Sequence, residues 1–287
     1  MPEVKLTRQL IKAQEIDYVA QFGREFKSLL ELLGIHETIP MRVGDTLNTY
    51  KSSVTLAGGT VEPGAIIPLS EVKMAKGEPI VLEYDKRRKA VPAEDIQKFG
   101  FERAVRMTDE ALLKELQKNI RQKLVDNLAK GTGAVSGTGL QGALAQGWGA
   151  VETAFEDDSV ATIAFVNPQD VADHLGQAQL VHQTLFGMKY LEGFLGVNVV
   201  FMNALIPKGT AYVTAAKNLQ VAFADVGGEM AKAFPFTKDN TGVIGILHDI
   251  QHERLTAETV TLSGLAIFAE VLNGVVKATI EAPVVAP

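Results

Sequence analysis

The sequence has no cysteine. Disulfides, thiolate metal sites and cysteine nucleophiles are therefore excluded, which suits a protein made and used in a reducing cytoplasm. It also lacks a surplus of positive charge: 28 Lys and Arg against 34 Asp and Glu give a formal net charge of −6. A surface built mainly to neutralise nucleic-acid phosphates would have the opposite sign. No apolar run reaches membrane-spanning length, because Glu270, Asn273 and Lys277 interrupt the hydrophobic C-terminal stretch. The opening residues, Met1-Pro2-Glu3-Val4-Lys5, have no apolar core of a secretory signal. No internal repeat is visible, which argues against a long β-rich adhesin or tail-tube protein. What remains is a chain of 287 residues, 46% hydrophobic and 22% charged. That composition indicates a soluble globular protein of one large domain or two ordinary ones.

Local patterns divide the chain. Over 13–33, Ile16, Val19, Phe22, Phe26, Leu29, Leu30 and Leu33 recur mostly three and four apart and Gly34 follows, which predicts an amphipathic helix. Its apolar face packs either on a neighbouring subunit or back on its own domain. "TLNTYKSSVTL" (46–56) and "EPIVLEYDKRRKAV" (78–91) are strand candidates separated by a segment studded with glycine and proline. They predict a projecting β-hairpin arm, whose open edges call for a covering partner. The run Lys86-Arg87-Arg88-Lys89 at its end is a solvated strand end or a contact for a phosphate or partner. Residues 108–130 form the clearest helix, with Thr108 as a cap, Asp109 and Glu110 in the first turn, and Leu112, Leu116, Ile120, Leu124 and Leu128 four apart. At ~1.5 Å per residue this is a rod of about 35 Å.

"GTGAVSGTGLQG" (131–142) has no Gly-Lys-Ser/Thr and follows no predicted strand, so it is expected to be a hinge or domain boundary and not a phosphate loop. An αβαββ body follows. It comprises a helix over 140–154 with Leu140, Leu144, Trp148 and Val151 on one side, the strand "VATIAFVNP", a short helix "QDVADHLG", and two strands in "FLGVNVVFMNALIPKGTAYV". From 243 onward nearly everything is β-prone, and long strands after helices indicate the α+β class.

"HDIQHERL" (248–255) raises the question of a metal site, because two of the five histidines lie four apart with Asp249 and Glu253 nearby. Ile244, Ile246 and Ile250 favour a strand, in which residues four apart have Cα atoms about 13 Å apart. One zinc needs both ring nitrogens within about 4 Å of each other, which a straight strand cannot supply. The reading favoured here is a partly polar strand whose histidines face solvent or a neighbouring subunit. Other constellations are no stronger. Ser136 lacks the flanking glycines of a nucleophile elbow, His36 and His182 have no evident partner, and His174 with Asp170 is a surface pair. No catalytic, cofactor-binding or metal-ligating residue is assigned.

An amphipathic leader, a projecting hairpin, a long helix, an α/β body and returning long strands thus occur in order. Together with "FVNPQDVADHLG" (165–176), "FLGVNVVFMNALIPKGTAYV" (194–213) and "GILHDIQHERLTAETVTLSGLAIFAEVLNGVVKATI" (245–280), this arrangement resembles the major capsid proteins of tailed bacteriophages of the siphophage type, over about residues 10–281. The resemblance implies an HK97-like capsid fold: an N-terminal arm and helix over 1–45, an extended hairpin loop over 46–90, and a peripheral domain from 91–138 and 241–287. Residues 91–138 would carry its spine helix, and 139–240 would be the axial domain. It further implies self-assembly through pentamers and hexamers into an icosahedral shell in the host bacterial cytoplasm, ending in the virion. The shell would enclose double-stranded DNA without specific recognition, with a portal protein and, because only about 45 residues precede the arm, a separate scaffolding protein as partners. No cofactor and no membrane association are implied. Lys73 and Lys76 lie in the loop that cross-links some relatives, but no matched partner is visible. Alternatives are an encapsulin-type nanocompartment shell packaging an enzyme, or a metal-dependent hydrolase using His248, Asp249 and His252. Arg254 and Glu258 are left as inter-subunit pairs or solvated residues.

Overall fold

A computed structural model describes residues 2–282 except 36–37, 43, 48–49, 59–65, 67, 77–78, 156–159, 177–181, 227–231 and 239–240. Helix α1 (Pro2–Leu32) begins earlier than the periodicity indicates. It ends in a left-handed turn at Gly34 (φ 68), where the Gly34 N–H donates to Glu31 O (3.1 Å) and Ile35 N–H to Leu30 O (2.8 Å). These two bonds satisfy orphan carbonyls at the helix end. Only glycine fits there, since a Cβ on residue 34 would lie 2.7 Å from the Ala216 Cβ. The buried face consists of Glu15, Tyr18, Val19, Phe22, Phe26, Leu29 and Leu33, whereas Ile16 is 53% exposed. Phe22 and Phe26 stack at 5.9 Å and both pack on Phe186, so the helix packs back on its own chain.

After β1 (Thr38–Met41), four short strands build the arm: β2 (Thr46–Leu47), β3 (Tyr50–Thr55), β4 (Glu71–Lys76) and β5 (Ile80–Val81). β2 pairs with β5, and β3 pairs antiparallel with β4 from Tyr50↔Lys76 to Thr55↔Glu71. The arm is therefore present, but its returning strand is "EVKMAK", from the segment read as the tip. β6 (Asp85–Pro92), expected in that role, leaves the arm and pairs antiparallel with β16 (Thr256–Ser263). That placement buries Val91, which an arm strand would expose.

Pro92 leads into α2 (Ala93–Phe99), and the chain kinks at Gly100 (φ 81) into α3 (Phe101–Leu128). Thr108 is not a cap; it lies inside α3, and its hydroxyl donates to the Ala104 and Val105 carbonyls. Ala104, Val105, Asp109, Leu113, Leu116, Ile120, Leu124 and Leu128 line the buried face. The glycine-rich segment is not a hinge. It forms β7 (Gly133–Thr138), an edge strand pairing in parallel with β18 (Val275–Glu281). A Cβ on Gly137 would come within 2.4–2.5 Å of the Gly142–Ala143 backbone at the start of α4 (Gly139–Ala154), so glycine here permits close packing. Trp148 turns outward, 45% exposed, and Gly147 takes its place on the buried side.

The body continues with β8 (Thr162–Val166), α5 (Pro168–Leu175), β9 (Gln183–Leu185), β10 (Met188–Phe194), β11 (Val197–Met202) and β12 (Thr210–Ala215). β9 and β10 had no separate sequence signal. Among the described residues these strands form a sheet in the order β7-β18-β12-β8-β11-β10-β9. Period-two alternation splits its side chains: Ile163, Phe165, Phe201 and Tyr212 join the core under α1 and α3. Ala164, Val166, Val200 and Val213 join a second core with α4. β13 (Leu219–Ala224), β1 and β17 (Leu265–Ala269) make a small sheet against α3, and β14 (Thr237–Lys238), β15 (Ile244–Gln251), β16 and β6 make another. The whole is a mixed α+β architecture, and no helix among the described residues is long and apolar enough to cross a membrane.

Candidate functional site

β15 carries His248 between the two long helices, with its side chain 4% exposed. This corrects the expectation that it faces solvent or a neighbour. His252 lies past the end of the strand, exposed in the turn to β16. One imidazole is buried and the other is in solvent, so they do not converge. Among the described residues, no group of three or more His, Asp or Glu could hold a metal ion.

Two acids instead flank His248. Its Nε2 lies 3.1 Å from Asp109 Oδ2 on α3, its Nδ1 lies 3.4 Å from Glu15 Oε1 on α1, and its backbone N–H donates to Glu15 Oε1 at 2.8 Å. Asp109 Oδ1 also accepts from Lys89 Nζ on β6 (2.8 Å) and from the Thr259 hydroxyl on β16 (3.2 Å). Glu15 Oε2 receives the Thr237 hydroxyl of β14 and Lys12 Nζ (3.2 Å). The cluster thus joins α1, α3, β6, β14, β15 and β16, elements far apart in the chain.

Charge and burial compete at each member. Burial pushes the Glu15 carboxyl up, yet hydrogen bonds from His248, Thr237 and Lys12 outweigh it and hold the group at about 2. Burial pushes the His248 imidazole down, and its contacts with Asp109 and Glu15 reverse this, leaving it above the ordinary histidine value. Lys89 goes the other way: burial draws it below the ordinary lysine value despite Asp109. Burial and the Asp109 charge both raise the Tyr18 phenol. Glu15 is thus held as the carboxylate, and the two flanking acids favour the protonated form of His248.

Sequence reasoning missed Glu15, and it placed Asp109 in a first helical turn, where the helix dipole favours an acid. A signal was available: each acid interrupts an apolar stripe at a position where the helical period calls for a hydrophobe. The basic run is a largely solvated strand end: Lys86, Arg87 and Arg88 are exposed, Arg87 Nε lies 2.7 Å from Asp85 and Arg88 Nε 2.8 Å from buried Glu258, and only Lys89 turns inward, onto Asp109. Glu258 is therefore a partner within the chain, while Arg254 is exposed in the turn. Asp170 does not pair with His174. It is buried and accepts the Gly209 N–H at 2.9 Å, fixing the Pro-Lys-Gly turn, and His174 packs edge-on against Phe194. Ser136 sits in edge strand β7, His182 is exposed, Lys73 pairs with Glu71 beside it at 3.1 Å, and His36 lies outside the described residues. The side chain of Lys76 also lies outside the described residues.

The other functional surface is the arm. Leu56 is 78% exposed, Ile66 94%, Leu69 95% and Val72 60%. Val72 lies on β4, and Leu56, Ile66 and Leu69 lie in the connection between β3 and β4; exposed apolar side chains of this size on a two-stranded arm are the kind of surface that a partner covers.

No protein-family model matches the chain, and no curated protein matches it in sequence. Solved structures do match. The mature capsid of bacteriophage PhiM1 aligns with a TM-score of 0.54 at 9% identity, covering 87% of this chain and 86% of that one. The capsid of cyanophage P-SCSP1u gives 0.53 at 10% identity, over 86% of each chain. The SrpI encapsulin complex from Synechococcus elongatus gives 0.51 at 9% identity, over 87% of this chain and 86% of that one. At these identities the likeness is one of fold: the chain has the fold shared by these shell proteins.

Proposed function

We propose that this chain is a major capsid protein that self-assembles through pentamers and hexamers into the icosahedral shell around a phage genome. Its role is then structural and not catalytic. The observation that carries the reading is the exposed arm on a body with a capsid fold, because the bare apolar side chains of Leu56, Ile66, Leu69 and Val72 call for a neighbouring copy. Closed shells need heterologous contacts that complete rings, and an arm laid over the next subunit adds interface area without a larger core.

On this reading the arm lies over the adjacent subunit. α3 and the sheet of β6, β15 and β16 form the peripheral part, and residues 139–240 form the axial part at the five- and six-fold axes. Double-stranded DNA is enclosed without base recognition, in keeping with the acidic net charge of −6. A separate scaffolding protein and a portal protein complete the assembly, which takes place in the host cytoplasm and ends in the virion. The encapsulin likeness favours a second reading, a nanocompartment shell with a protein cargo.

Electron microscopy and sedimentation of the purified full chain, expressed with and without its co-encoded scaffold, test the proposal. Closed polyhedra or free pentamers and hexamers are expected. A stable monomer under both conditions overturns it. Nuclease-protected DNA inside native particles supports the capsid, and a single enriched protein cargo supports the nanocompartment.

A further inference from the structure

We propose that the Glu15–His248–Asp109 bridge is a proton-operated clamp that holds the N-terminal helix α1 against the body of the subunit. The clamp is independent of the shell reading and concerns the chain's own conformational equilibrium. Its geometry is specific. His248 is the one cluster member that touches both long helices, and Glu15 is the acid through which α1 reaches it.

Every element packed against the imidazole contributes to its balance. α1 contributes Glu15, the buried Tyr18 phenol that feels the Asp109 charge, and, at the mouth of the cluster, Lys12, which is 57% exposed. α3 contributes Asp109, β6 contributes Lys89, and β14 and β16 contribute only the hydroxyls of Thr237 and Thr259. On β15 itself the neighbouring Asp249 turns away, accepting from the Ile250 N–H and Gln251. Lys238 of β14 is engaged with Asp225 at 3.5 Å. With the ring protonated, two buried carboxylates face two buried cations. Loss of that proton leaves Asp109 with Lys89 and Glu15 with only the half-exposed Lys12, and a buried carboxylate so weakly matched favours the arrangement in which α1 carries Glu15 out to water.

The direction with pH follows from linkage. A raised imidazole stabilises the closed state fully below its ordinary value of 6.5, and the contribution is lost as pH rises through the higher value of the closed protein. Glu15, lowered from 4.5 to about 2, contributes fully above 4.5 and is lost as pH falls through about 2. The clamp is therefore tightest between 4.5 and 6.5 and loosens on the alkaline side by the part of the His248 shift that Glu15 supplies, less the burial penalty on the imidazole that opening relieves. Each unit of that part is about a ten-fold change in the opening equilibrium.

Hydrogen–deuterium exchange of the full chain from about pH 6 to about pH 9, corrected for intrinsic rates, reads the clamp at residues 12–22, with α4 as the internal reference. Protection of 12–22 should fall with rising pH while α4 is unchanged. His248→Gln should abolish the pH dependence, and His252→Gln, in the exposed turn, should retain it. A flat wild-type response overturns the clamp, as does a response that His248→Gln preserves or one in which α1 and α4 open together. Should His248→Gln fail to fold, the ring titration of His248 by NMR in Glu15→Gln decides. A midpoint that moves down from the wild-type value supports the clamp, and an unchanged midpoint overturns it.

Discussion

Asp109→Ala discriminates between two physical pictures of the same residue. As an acid in a solvated first helical turn, Asp109 interacts only with the helix dipole, and removing it costs about 0.3–1 kcal/mol. In the structure it is buried and accepts from Lys89 at 2.8 Å, from Thr259 at 3.2 Å and from His248 at 3.1 Å. Its removal leaves Lys89, whose side chain is 15% exposed, and His248, 4% exposed, without their shared counter-charge. Breaking a buried pair from one side costs about 3–5 kcal/mol. His248 can shed its proton, so the lower end of that range is expected. With a urea slope of about 3 kcal/mol per molar, the unfolding midpoint of the full chain should fall by about 1 M at neutral pH, against about 0.3 M or less for a solvated acid. The double variant Lys89→Met/Asp109→Ala should recover part of the loss, because it removes a stranded cation along with its partner. A midpoint within 0.3 M of wild type would refute the burial argument.

Further outcomes follow from other contacts. Phe26→Ala empties a site 1% exposed between Phe22 and Phe186 and should destabilise the chain by about 3–5 kcal/mol in the same assay; a loss below about 1 kcal/mol would mean that α1 is not packed on its own body. Asn167→Ala removes both the cap on the Gln169 N–H (2.8 Å) and the buried donor to Ile206 O (2.6 Å), costing about 2 kcal/mol by thermal melting, and Asn167→Asp should restore only the cap. Ile66→Asp and Leu69→Asp, at positions 94% and 95% exposed, should leave subunit stability within about 0.5 kcal/mol while abolishing shells in electron micrographs. Normal shells from both would remove the arm from assembly.

Much of the fold was legible because its elements follow single periods. The strand ended by Asn167-Pro168 and the helix stopped by Gly176 follow local rules of capping and φ, and they occur where those rules place them. Errors arose where a side chain answers to a distant partner. Strand "EVKMAK" is too polar to read as a strand until Tyr50–Thr55 pairs with it. β7 resembles a hinge because the reasons for its glycines, the α4 backbone against Gly137 and β18 against Gly133, lie beyond the local pattern. Glu15, Asp109 and His248 belong to three unrelated local patterns and become a site only when α1, α3 and β15 meet. The exposed arm could be inferred from composition, but which of its apolar side chains are bare emerged only from the folded chain.

The buried cluster also sets a schedule for synthesis. Glu15 accepts from a residue 233 positions later, and β6 waits for β16. At a synthesis rate of roughly 5–20 residues per second, the first helix emerges some 10–50 s before the strand that completes its seat. Until Phe186 and then β15 emerge, the cover over Phe22, Phe26 and Leu29 is incomplete, so a product truncated before them would expose this apolar face and be prone to aggregate.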